Sequence, residues 1–136
     1  MNRPILIGYQ LLIGCSDAFT GALLIIAPEL TLNLMRLHVP ADARPFLSFI
    51  GAFVFSVGLA CLYGAFVMTC RRNQCKVEVV WLLTAITRAS VAIFLVTQIA
   101  SHTLEAGWVS VAITDGACVV FQAIGLRRGW LADVAW

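Results

Sequence analysis

Apolar residues dominate four stretches of the chain, at about residues 5–27, 46–69, 77–100 and 106–126. Each is close to the roughly 20 residues that an α-helix rising 1.5 Å per residue needs to cross a hydrocarbon layer about 30 Å thick. Short polar connections follow the second and third stretches. The first is followed by a longer one, APELTLNLMRLHVPADARPF, in which Leu30, Leu34 and Leu37 recur at helical spacing between Pro28 and Pro40. Proline can open a helix at its first position and closes one from beyond its end, so this stretch predicts a short interfacial helix lying flat on the outer surface. Asp42 and Pro45 then read as the start signal of the second span. Backbone groups in lipid must bond internally. The pattern therefore predicts an all-α chain: a four-transmembrane-helix bundle with a short interfacial helix after the first span, in one integral membrane domain over residues 1–136. The basic, then apolar start resembles a signal peptide, but Asp17 interrupts it and its apolar character runs on to Ala27, which predicts a retained span.

Polar residues inside the spans sharpen this picture. Arg88 stands near the middle of the third span, where a guanidinium can neither deprotonate nor be solvated cheaply. Asp17 and Asp115 stand near the middles of the first and fourth, so three ionisable residues share one depth. We expect Asp17 and Asp115 to flank Arg88, because lipid exposure costs far more than pairing. Helical spacing puts Gln10, Gly14, Asp17, Ala18 and Gly21 on one stripe, and Asp115, Cys118, Gln122 and Gly125 on another. Thr84 lies one turn from Arg88 on the same face, and Ala92 one turn beyond it. Gln10, Thr84 and Gln122 thus predict a polar layer on the cytoplasmic side of the charges, against Gly21, Ala92 and Ala112 on the outer side. A polar cavity, if present, would open toward the cytoplasm.

Two carboxylates against one guanidinium leave one negative charge to resolve. One of the acids can hold a proton, which would make the site proton-linked. The alternative is a structural Asp–Arg–Asp clasp that fixes helix register.

Composition agrees with the membrane reading. Of 136 residues 61% are hydrophobic and 12% charged, where soluble domains carry about 25%. The net charge of +2 comes without a basic stripe, which sets nucleic-acid partners aside. Arg3, Arg71, Arg72, Lys76, Arg127 and Arg128 fall on one side of the membrane and only Arg36 and Arg44 on the other, so both termini are expected to be cytoplasmic. Trp81 and Trp130 are then expected near the inner interface and Trp108 near the outer one.

Other residues suggest less chemistry. Cys15, Cys61 and Cys118 lie in apolar spans as small hydrophobes, while Cys70 and Cys75 flank the loop CRRNQC as free thiols, so no metal site is expected. His38 and His102 read as interfacial hydrogen bonders, and Glu29, Glu78 and Glu105 as solvated boundary residues. No HExxH, phosphate loop or nucleophile with a nearby base is present. Ala52, Ser56, Ala60 and Gly64 form a small-residue ridge on the second span, which favours helix packing within the bundle or against a neighbouring protein.

The chain resembles the small bacterial four-helix membrane proteins grouped as DoxX-like. The resemblance lies in its size, the proline-led turn in ALLIIAPELTLNLM, the glycine-bearing span FIGAFVFSVGLACLYG and the polar-punctured last two spans. It implies a bacterial inner-membrane protein with a quinone-linked or electron-transfer accessory role, and assigns no residue to it. The expected function is an accessory subunit that anchors or stabilises a larger membrane complex, with the lipid bilayer and other membrane subunits or a homo-oligomer as partners. The alternative is a small membrane enzyme or transporter acting on a small or lipid-soluble substrate, such as a quinone or lipid, through the buried Asp17–Arg88–Asp115 site.

Overall fold

The structure is a computed structural model that describes residues 3–70 and 74–132. Its helices are α1 (Arg3–Ile26), α2 (Pro28–Met35), α3 (Arg44–Thr69), α4 (Gln74–Ala100) and α5 (Val109–Arg127). Single 3₁₀ turns, Ala41–Ala43 and Ala106–Trp108, lead into α3 and α5. There is no strand among the described residues. The chain is all-α, and α1, α3, α4 and the stretch from the second 3₁₀ turn through α5 are long and apolar enough to cross a membrane. The short helix after the first span is α2; it exposes Leu30 and Leu34 and buries Thr31 and Leu32. Arg71 and Arg72, two of the residues behind the expected orientation, lie outside the described residues.

The chain divides into two compact units, Pro4–Phe66 and Val67–Trp136 with Met1–Arg3. In the first, α1 and α3 approach closely because both carry glycines seven residues apart: Gly14 and Gly21 on α1, Gly51 and Gly58 on α3. A Cβ at Gly21 would collide with the Phe55 backbone nitrogen, and one at Gly58 with that of Ala18. A Cβ at Gly51 would come within 2.7 Å of the Leu24 Cβ. Lipid tails are as apolar as leucine, so helices in a membrane associate by van der Waals contact that small residues make possible.

Four-residue spacing advances a helix by about 40° beyond a full turn at each step, so the small ridge winds around α3. Gly64 is buried and Ala60 half-buried, whereas Ala52 and Ser56 are exposed. The buried stripe of α3 instead runs through Leu47, Gly51, Gly58, Cys61, Ala65 and Met68, at alternating three- and four-residue steps or their sum. Ser48 adds a hydrogen bond from its hydroxyl to the Leu24 carbonyl, at 3.4 Å. The Arg44–Glu29 pair, at 2.6 Å, is half exposed or more on both sides and contributes about 0–1 kcal/mol.

In the second unit, α4 buries Val77, Trp81, Thr84, Ala85, Arg88 and Leu95, and α5 buries Ala112, Cys118, Gln122 and Gly125. A side chain at Gly125 would run into the Trp81 and Trp130 rings. Phe121 lies against both rings, with centroids 6.0 Å from Trp81 and 5.5 Å from Trp130. Trp81 is the fully buried member of this cluster. Arg3 donates to the Met68 and Thr69 carbonyls at 2.6 and 3.0 Å, placing a cation on the C-terminal carbonyls of α3, the negative end of its dipole.

Three helices end in one way. Arg36, His102 and Gly129 take positive φ of 55°, 57° and 63° after α2, α4 and α5. In each case the amide one residue further on reaches back across the turn: Leu37 to Leu32, Thr103 to Gln98 and Trp130 to Gly125, at 2.9 to 3.0 Å. This is the Schellman closure, and only Gly129 adopts it without a Cβ penalty.

Candidate polar site between α4 and α5

Two polar pairs join α4 to α5 among the described residues. Thr84 and Arg88 are one turn apart on α4, and Asp115 and Gln122 are two turns apart on α5, so the antiparallel helices oppose Thr84 to Gln122 and Arg88 to Asp115. The Arg88 Nη1 donates to Asp115 Oδ1 at 2.6 Å. The side chains are 4% and 14% exposed, which makes this a buried charge pair. Its partners offset one another's desolvation, and removing either leaves an uncompensated charge.

The second pair is an oriented chain of hydrogen bonds. Gln122 Nε2 donates to Thr84 Oγ1 at 2.9 Å. The Thr84 hydroxyl in turn donates to the Val80 carbonyl at 2.7 Å. Gln122 is fully buried, and its Oε1 has no hydrogen-bond partner. The Gln122 Oε1 acceptor is left for a donor such as a hydroxyl, while Gln122 Nε2 keeps a second N–H beside the one given to Thr84.

The charged and polar residues read from the sequence distribute over both units. Arg88 and Asp115 meet across α4 and α5. Asp17 is half-buried on α1, on the stripe of Gln10, Gly14 and Gly21 in the first unit. Gln10 in the first unit, and Thr84 and Gln122 in the second, are all buried, at 0%, 4% and 0% exposure. Ala92 is half-buried, and Gly21 and Ala112 are buried.

One groove in the second unit is apolar. It encloses about 340 Å³ and is lined by Val96, Ile99, Ala100, Val109, Ala112 and Ile113, at the end of the seam away from Thr84 and Gln122. The described residues include no group of three His, Cys, Asp or Glu side chains able to hold a metal ion. Sequence reasoning missed the Trp81–Phe121–Trp130 cluster; its signal was Gly125, which vacates the space that Trp81 fills. No protein-family model, curated protein or solved structure matches this chain.

Proposed function

We propose that this chain is an accessory integral-membrane subunit that docks on a helix of another membrane protein and anchors or stabilises the complex. The observation that carries this reading is the outward face of α3, where Ala52 and Ser56 remain exposed while Gly51 and Gly58 serve the contact with α1. In lipid, an open face of small residues is where another helix can approach closely. The Ser56 hydroxyl is satisfied within its own helix by the Phe53 carbonyl, at 2.7 Å, so the face presents no unmet polar group. Phe49 and Phe53, 63% and 58% exposed, flank it with apolar surface.

In this reading the Arg88–Asp115 pair is a clasp that holds α4 to α5. Both termini are cytoplasmic, in a bacterial inner membrane, and any quinone-linked or electron-transfer chemistry belongs to the host complex. Native electrophoresis after extraction in mild detergent tests the proposal. The expected result is a stoichiometric larger complex that Ala52→Leu with Ser56→Leu dissociates; a lone monomer or homodimer overturns it. Orientation is tested separately by thiol labelling at the exposed Cys70 and Cys75, expected to be faster from the cytoplasmic side.

A further inference from the structure

The Thr84–Gln122 pair has an unmet requirement that a clasp does not explain. A purely structural clasp would be complete with every polar atom partnered, and a buried acceptor left bare is costly. Gln122 Oε1 is such an acceptor: its residue has no exposed surface, and its amide is held in one orientation because Thr84 Oγ1, having given its proton to Val80, can only accept from Gln122. Gly125, Trp81 and Phe121 lie within one turn of Gln122 or Thr84 along their helices, and Arg88 of the charge pair lies one turn from Thr84 along α4.

We propose that Gln122 Oε1 is a buried receptor for one hydroxyl group, which donates its proton to the carboxamide oxygen. The hydroxyl comes either from an internal water or from a lipid-soluble alcohol or phenol. This site is independent of the outward face of α3 and stands whether or not a partner subunit docks there. The bare Oε1 gains a hydrogen bond only from a donor, so a molecule of the same shape without a hydroxyl proton leaves it unmet.

The test uses the full chain in lipid nanodiscs with phenol and anisole as probes. They share a ring, and only phenol carries a hydroxyl proton. If an organic hydroxyl is received, phenol binds roughly five- to ten-fold more tightly than anisole, the ratio that one net hydrogen bond supplies, and Gln122→Met removes the preference. If the hydroxyl is water, the Gln122 side-chain amide protons show a cross-relaxation peak to a long-lived water, and phenol and anisole bind alike. Absence of both, in wild-type protein whose Gln122 amide signal is resolved, overturns the proposal. That comparison needs no variant, so failure of Gln122→Met to fold leaves it intact.

Discussion

In residues 4–66, α1 and α3 meet backbone to backbone through Gly14, Gly21, Gly51 and Gly58, whereas beyond residue 67, α4 and α5 meet through charge, amide and aromatic rings. Both solutions answer the same difficulty, that lipid gives apolar side chains little reason to leave it for one another. The glycine contact gains its attraction from proximity and tolerates no added atom. The polar seam gains its attraction from groups that lipid cannot satisfy, and it tolerates changes that keep the groups matched. The first should be sensitive to size, and the second to pairing.

Breaking the ion pair should have the largest effect. Arg88→Leu leaves Asp115 without its guanidinium and is expected to destabilise the protein by about 3–5 kcal/mol in reversible detergent unfolding. The double variant Arg88→Met with Asp115→Leu should recover most of that loss. If the double variant is as unstable as the single one, matching is not what governs the seam.

Gly58→Ala and Gly21→Ala come next, at about 1–3 kcal/mol each, because the added carbon meets main chain that cannot move aside. Gly8→Ala and Gly116→Ala are the internal controls. Nothing lies within 4 Å of a Cβ at either, so both should gain up to about 1 kcal/mol from helix propensity. Equal losses at all four glycines would erase the size rule.

Thr84→Val, which keeps the shape and removes the hydroxyl, should cost about 0.5–1.5 kcal/mol by the same measurement. The smallest effect should be a gain. Arg36→Gly and His102→Gly relieve the left-handed strain of a side chain and are expected to stabilise by about 1 kcal/mol each, outside both helix contacts.

Much of the polar seam was legible in the sequence, because burying Arg88, Thr84 or Gln122 in an apolar span is improbable unless they face protein, and helical spacing says which face that is. Asp115 as a partner of Arg88 followed from depth alone. The glycine contact was harder to see. A four-residue repeat, Ala52–Ser56–Ala60–Gly64, catches the eye, yet it drifts around the helix, whereas the seven-residue pairs 14/21 and 51/58 stay on one face. The burial of Trp81 was hidden for a different reason. Its position near a span end speaks only to depth, and the missing side chain at Gly125, 44 residues later, reveals the space that takes it inside.

The left-handed closures at Arg36, His102 and Gly129 carry a consequence for biogenesis. Each uses only hydrogen bonds within about six residues of chain, so α2, α4 and α5 reach their final lengths by local rules alone. A nascent helix can then stop at the right place while still in the insertion machinery, before the rest of the protein exists. Docking chooses partners among finished rods, and an error in pairing leaves the rods themselves unchanged and free to try again.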